Sequence, residues 1–261
     1  MLDYPNIDPV ALDLGLVQIR WYGISYVVGI LLAWALLRIK GRQEQWGFSQ
    51  EEVADLVFYN MVGIIVGGRL GSVLFYNFSY YLQHPIEIFY IQQGGMSFHG
   101  GLIGVLVSVW FFAKKRNKTF FSVSDFIAPV VPVGLFFGRI ANFINGELWG
   151  APTDVPWAMI FPDPGAGGIA RHPSQLYEAL LEGIVLFIIL WWFSSKPRPV
   201  KSISGLFLVG YSVFRSMVEF VRVPDAHIGY LAFNWVTMGQ LLSLPMFIFG
   251  ILLIVMAYRK A

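Results

Sequence analysis

The chain has 261 residues, 56% of them hydrophobic and 13% charged, with 18 Lys/Arg against 16 Asp/Glu for a net charge of +2. That balance lies far outside soluble-domain usage and fits an all-α polytopic membrane protein, whose helices also accommodate the 27 glycines and 14 prolines. The absence of cysteine excludes disulfides, thiolate metal sites and a cysteine nucleophile, and the charges supply no nucleic-acid-binding module.

The N-terminal MLDYPNIDPVALDLG is acidic and lacks the basic region of a cleavable signal. Beyond it, seven apolar stretches reach the roughly 20 residues that a crossing needs. The first, 18–38, carries Tyr22 and Tyr26 and runs into Arg38, Lys40 and Arg42. The second, 53–76, holds Arg69 among Gly63, Gly67, Gly68 and Gly71. Residues 77–95 are rich in aromatics and are predicted to lie along the interface, either as part of the membrane's aromatic belt or as a binding surface.

The third span, 96–113, opens with GGMSFHGG around His99 and ends in Lys114, Lys115, Arg116 and Lys118. The fourth, 123–145, carries Arg139, Asn142 and Asn145, with Glu147 just beyond. The Pro/Gly-rich 146–172 is too polar and broken to cross. The fifth, 173–193, brings His172, Gln175 and Glu178 to its start and is followed by Lys196, Arg198 and Lys201. The sixth, 203–221, places Tyr211, Arg215, Glu219 and Arg222 at intervals of four, four and three, a polar stripe on an apolar helix. The seventh, 235–257, precedes Arg259 and Lys260.

Basic residues thus crowd the first, third and fifth connections and the C-terminal tail. The other side and its margins hold only Arg20, Arg171 and Arg222. The positive-inside rule puts the C-terminus in the cytoplasm and, with an odd number of spans, the N-terminus outside. Six spans then deliver polar or ionisable groups to the outer leaflet, with Asp125 and Glu182 the exceptions.

A guanidinium in hydrocarbon needs an anionic or strongly polar partner, or a wet cavity. Two readings satisfy Arg69, Arg139, Arg215 and Arg222. Local carboxylates can neutralise them: Glu219 through Arg215 or Arg222, and Glu178 through Arg139. Alternatively, an anion binds. Counting Glu147, Glu178 and Glu219 against those four arginines leaves one positive charge, which solvent at the lip or a phospholipid phosphate could meet. The glycines beside these groups suit close helix packing and equally a close approach to a ligand. His99, flanked by glycines, is the candidate proton acceptor, with a structural role the alternative. Tyr26 is a candidate hydrogen-bond donor or an interfacial aromatic.

Neither GxGxxG nor GxxxxGK[ST] occurs, and His84, His172 and His227 show no metal-ligand spacing with His99. Neither a metal nor a cofactor is expected. A transferring enzyme, a transporter of anionic lipid and a membrane scaffold all remain compatible with the arginines. A transporter predicts polar groups in both leaflets and repeated halves, and no repeat is visible.

Six motifs in order carry a resemblance over essentially the whole chain: RWYGISY at 20–26, SFHGG at 97–101, GRIANFINGELWG at 138–150, HPSQLYE at 172–178, YSVFRSMVEFVRVPDA at 211–226 and NWVTMGQLLSLPM at 234–246. The chain resembles the prolipoprotein diacylglyceryl transferases. The resemblance implies one integral-membrane catalytic domain over 1–261, in the bacterial cytoplasmic (inner) membrane with its site toward the outer leaflet. It also implies transfer of the sn-1,2-diacylglyceryl group of phosphatidylglycerol to the lipobox cysteine of a prolipoprotein signal peptide. Arg139 and Arg215 match the family's essential arginines. Asn142, Glu147 and Gly150 match signature positions, and Tyr26 and His99 match functionally important ones. Glu219 and Arg222 continue the sixth-span motif.

Overall fold

The computed structural model describes residues 2–15, 18–91, 94–223, 231 and 236–259. Lys260, His227 and the start of the seventh expected span at 235 lie outside the described residues. The helices are α1 (Trp21–Gly41), α2 (Gln50–Phe75), α3 (Phe78–Gln83), α4 (Phe98–Lys115), α5 (Phe120–Ile127), α6 (Val131–Ile144), α7 (Ser174–Glu178), α8 (Leu186–Phe193), α9 (Ser202–Glu219) and α10 (Met238–Tyr258). Local chemistry sets several of their ends. Capping boxes start α2 at Ser49/Glu52 and α10 at Thr237/Gln240. Lys114 and Lys115 close α4, where cations complement the exposed carbonyls.

Five helical stretches are long and apolar enough to cross a membrane: Trp21–Gly41, Gln50–Phe75, Phe120–Ile144, Ser174–Phe193 and Met238–Tyr258. Only 17% of the apolar window of the first and 22% of that of the last are buried within the protein, the reverse of a water-soluble core. The expected third and sixth spans are the helices α4 and α9, each 18 residues. His99 and two lysines make the first less apolar, and Arg215 with Glu219 the second. The fourth stretch is not one straight helix: Pro129 and Pro132 break it at a 3₁₀ turn, Ala128–Val130, between α5 and α6. The fifth contains a π-helical segment, Ala179–Val185, joining α7 to α8.

The chain packs as two compact units, Leu37–Phe126 and Met1–Leu36 with Ile127–Ala261. In the first, α2 and α4 meet backbone to backbone. A Cβ at Gly67 would lie 2.4 Å from the Gly100 carbonyl oxygen, and one at Gly63 would lie 2.5 Å from that of Gly104, so only glycine permits the contact. Close packing is therefore what these glycines do. At the other end, Lys118 Nζ donates to the Gly47 carbonyl at 2.6 Å, joining the first and third basic connections. Residues 77–95 form α3 and a 3₁₀ turn, Pro85–Phe89, and Phe78, Tyr80 and Phe89 are exposed.

In the second unit, α6, α7, the π-helical segment, α8 and α9 pack together, and α10 joins α9 through Gly205 and Gly250. Outside the spans lie two small antiparallel ribbons, β1 (Val10–Asp13) with β2 (Gln18–Arg20) and β3 (Met159–Ile160) with β4 (Ala170–Arg171). The second ribbon sits in the 146–172 connection, where Phe143, Met159, Phe161 and Ala166 form a local apolar core. The N-terminal segment is tied to the same place. Leu2 N–H donates to the Ala158 carbonyl at 3.0 Å, and the Tyr4 hydroxyl donates to the carbonyls of Phe143 (2.5 Å) and Ile144 (3.0 Å) at the end of α6.

Candidate active site

The polar centre of the second unit is built around Glu178, a fully buried carboxylate at the end of α7. Its Oε1 accepts from Arg215 Nη1 at 3.0 Å and from Arg222 Nη1 at 2.7 Å, while its Oε2 lies 3.1 Å from Arg139 Nε. Glu219 completes a ring, pairing with Arg215 Nη2 and, at 3.3 Å, with Arg222 Nε. The intervals of four and three that form a stripe along α9 are thus bridged twice, within the helix by Glu219 and across helices by Glu178.

Glu219 also takes a short hydrogen bond from the Thr237 hydroxyl, which places its carboxylate at the N-terminus of α10. The peptide dipoles there favour negative charge. Gly239 makes room for it: a Cβ there would lie 2.6 Å from Glu219 Cδ.

Glu182 belongs to the same cluster, which corrects its expected placement away from the site. Its Oε2 lies 3.7 Å from Arg139 Nη2, and it is fully buried. Side chains on a helix slope toward its N-terminus, so Arg139 reaches back along α6 and spans both Glu178 and Glu182. The backbone approaches equally closely, since a Cβ at Gly183 would lie 2.7 Å from Phe136 Cβ.

The surplus positive charge expected from sequence is therefore absent from this cluster: Arg139, Arg215 and Arg222 face Glu178, Glu182 and Glu219. Two further assignments explain the difference. Among the described residues Glu147 pairs with no arginine but accepts from Asn142 Nδ2 at 2.8 Å and Asn145 Nδ2 at 3.3 Å. Arg69 lies in the other unit and is satisfied by backbone. Its Nε donates to Ile88 O (2.8 Å), Nη2 to Glu87 O (2.5 Å) and Nη1 to Gly94 O (2.6 Å), beneath the Tyr81 ring. It staples the segment after α3 and is not available to an anion.

The exposure of the charged cluster is asymmetric. The arginine side chains are 20% (Arg139), 16% (Arg215) and 13% (Arg222) exposed, against 0% for Glu178 and Glu182. Carboxylates lie innermost in the cluster, and the arginine side chains are its more exposed members. Added Cβ atoms at Gly134 and Gly138, in the turns preceding Arg139, would meet nothing within 4 Å. Both positions thus have room for a Cβ, although Gly134 Cα itself lies against α1, 3.7 Å from a Cβ built at Gly29.

Gly150 anchors the rim. It forms an isolated antiparallel bridge with Arg222, its N–H donates to the His172 carbonyl at 2.8 Å, and Ala151 N–H donates to the Val221 carbonyl at 2.8 Å. A Cβ there would lie 2.5 Å from the Val221 oxygen. Ser174 Oγ donates to Leu148 O at 2.9 Å and Gln175 Nε2 to Glu147 O at 2.5 Å, so the start of α7 holds the segment that carries Glu147.

Tyr26 is half exposed on α1, its ring beside Tyr22 with centroids 5.2 Å apart. Tyr22 is within electrostatic range of both Glu147 and Arg139. His99 stands on the first turn of α4 in the other unit, exposed, its ring edge-on to Phe98 and without a hydrogen bond among the described residues. Sequence reasoning missed Glu182, Thr237 and Gly239. The T-x-x-Q capping pattern at 237–240 was the available signal for Thr237, and none pointed to Gly239.

Long apolar helices around a cluster of buried carboxylates and partly exposed arginine side chains define a multi-pass helical membrane protein with a charged polar site. The sequence matches the family described as prolipoprotein diacylglyceryl transferase over residues 9–256. It is 57% identical to a phosphatidylglycerol–prolipoprotein diacylglyceryl transferase of Methylococcus capsulatus, covering all of this chain and 99% of the relative. A protein of the same description from Pseudomonas fluorescens is 56% identical, over all of this chain and 97% of its own length, and one from Nitratidesulfovibrio vulgaris is 56% identical over 97% and 95%. The chain belongs to the prolipoprotein diacylglyceryl transferase family.

Proposed function

We propose that the protein transfers the sn-1,2-diacylglyceryl group of phosphatidylglycerol to the lipobox cysteine thiol of a prolipoprotein, in the first step of lipoprotein maturation. The observation that carries the reading is the buried carboxylate platform holding the partly exposed side chains of Arg139, Arg215 and Arg222 together. In this reading the whole chain acts as one integral-membrane catalytic domain with seven spans. Its N-terminus is outside, its C-terminus is in the cytoplasm, and its site faces the outer leaflet of the inner membrane. The join between the Gly47 and Lys118 connections supports a shared basic side.

The thiolate sulfur attacks glycerol C3 of the lipid, a carbon–sulfur bond forms, and the bond from C3 to the phosphate oxygen breaks. The electron pair leaves with sn-glycerol 1-phosphate, and the thiol proton passes to a base. Arg139 and Arg215 hold the phosphate and stabilise the charge that grows on it as it departs. Arg222 binds at the lip, and Glu219 keeps Arg215 and Arg222 in register. Asn142 and Glu147 form a polar clip beside Arg139, Gly150 shapes the rim and Tyr26 donates to the headgroup. His99, exposed and flanked by glycines, takes the thiol proton. The phospholipid is the activated donor, so the reaction needs no ATP or redox cofactor. Both substrates reach the site within the bilayer.

The test is incubation of purified protein with phosphatidylglycerol and a lipobox peptide, reading peptide mass and released glycerol phosphate together. A folded preparation that yields no thioether sinks the reading. For His99, turnover of His99→Gln across pH decides the role: a near-normal rate with an unchanged profile removes it as the base.

A further inference from the structure

We propose that Glu182 is a positioning residue, an internal counter-anion that holds Arg139 Nη2 in the empty site, yields it to the substrate phosphate and reclaims it when glycerol phosphate leaves. The inference rests on the transfer reaction proposed above and adds a residue that neither the motifs nor the charge pattern marked.

Three observations converge on Glu182. It is held differently from its neighbour. Glu178 meets three arginines at 2.7–3.1 Å, whereas among the described residues Glu182 has a single ion-pair contact, at 3.7 Å, and accepts no hydrogen bond on either oxygen. A fully buried carboxylate normally recovers its lost hydration through hydrogen bonds. This one is retained by charge alone, chiefly that of Arg139, with Arg215 and Arg222 acting from farther away. Its grip is therefore the weakest in the cluster and the first to give way to a competing oxyanion.

Charge balance supplies the second reason. With Glu182 ionised, three guanidiniums face three carboxylates, so an entering phosphodiester must compete for Arg139. Without that charge the cluster carries a net positive charge and binds anions more tightly. The product, a phosphomonoester, bears more charge than the substrate headgroup and would be the species trapped most strongly. Glu182 thus trades ground-state affinity for release, which raises turnover wherever product departure limits it.

The third is the backbone. Glu182 lies in the π-helical segment Ala179–Val185, and Gly183 brings that segment against Phe136, one turn before Arg139 on α6. Departures from α geometry of this kind are rare and occur mostly at functional sites.

The experiment compares wild type with Glu182→Gln, which keeps shape and removes charge. Binding of sn-glycerol 1-phosphate is measured directly by calorimetry in detergent, alongside KM for phosphatidylglycerol, kcat and thermal unfolding. The expected result is product affinity and KM both tighter by about tenfold, with kcat reduced. A merely structural glutamate would weaken binding or leave it unchanged as activity falls, and either outcome overturns the proposal. If Glu182→Gln does not fold, Glu182→Asp replaces it. The charge is then withdrawn from Nη2 by one methylene, so product affinity rises by a smaller factor, and no rise overturns the idea equally. Wild-type protein that binds glycerol phosphate but transfers no diacylglyceryl group would refute the reaction, whereas active wild type with no tightening in the variants would refute only the role of Glu182.

Discussion

Arg139 and Glu178 face each other from α6 and α7, with Nε of the first 3.1 Å from Oε2 of the second, and the opposite oxygen of Glu178 is shared by Arg215 and Arg222. One fully buried carboxylate therefore sets the position of three guanidiniums, contributed by α6, α9 and the segment just after α9. Losing one partner of a buried charge network is far costlier than losing an exposed pair, because the remaining charges stay desolvated.

Glu178→Ala should accordingly destabilise the protein by about 3–5 kcal/mol, read as a lower unfolding midpoint in detergent. Glu178→Gln keeps the volume but turns an NH₂ group toward a guanidinium, donor against donor. Its transfer rate should fall by about 100-fold as the arginines lose alignment. A glutamine variant with wild-type kcat/KM would show that Glu178 does not orient them.

Arg69 should behave oppositely to Arg139, although the two look alike in sequence. All three nitrogens of its guanidinium donate to carbonyls of residues 87–94. Lysine cannot reproduce that fork, so Arg69→Lys should lose about 3 kcal/mol of stability while the folded fraction keeps kcat and KM within about twofold. Arg139→Lys should remain folded and lose turnover. Equal loss of turnover in both would return Arg69 to the site.

That contrast marks what sequence can and cannot reveal. Arg139 and the 211–222 stripe were legible because helical spacing puts polar groups on one face and hydropathy makes them conspicuous. The partners of Arg69 are backbone carbonyls from an irregular segment, which leave no trace in residue type. Of the two readings open for the glycines, close packing is the one found at 63, 67, 100 and 104, whereas a Cβ at 134 or 138 would meet nothing within 4 Å, a difference that residue type does not show. Glu182 was misjudged because depth was counted along straight helices, whereas Arg139 reaches back along its own. Pro129 and Pro132 carried the break in the fourth stretch, which hydropathy averaged across.

Gly239 offers a test in which two effects oppose each other. Alanine within a helix is favoured over glycine by about 1 kcal/mol. Here its Cβ would fall 2.6 Å from Glu219 Cδ and 2.8 Å from Oε1. Gly239→Ala should therefore push Glu219 off Thr237 and Arg215, lowering both unfolding midpoint and activity despite the gain in helix propensity. Thr237→Val removes the hydroxyl hydrogen bond to Glu219 and should act in the same direction. A Gly239→Ala protein that is more stable and fully active would mean that this carboxylate does not need its place at the start of α10.

His172 gives the rim a pH dependence whose sign follows from its surroundings. Burial pushes the imidazole below its ordinary value of 6.5. Trp157 Nε1–H donates to the Tyr177 hydroxyl oxygen at 2.6 Å, leaving that hydroxyl hydrogen to donate to His172 Nδ1, 3.1 Å away. With the hydroxyl as donor, Nδ1 carries no proton and the hydrogen of neutral His172 sits on Nε2, the tautomer proposed for this site. As pH falls below 6.5 the unfolded chain takes up a proton that the folded ring resists. Stability is therefore greatest above that value and declines as pH drops through the lower folded pKa. The backbone of the same residue bonds Gly150 and Ala151, so acid should loosen the rim around Arg222 first. The measurement is the unfolding midpoint from pH 7.5 to 5, with His172→Gln expected to flatten this part of the profile. Magnetic resonance of the ring should show Nε2 protonated near neutrality, and titration at or above 6.5 would contradict the account.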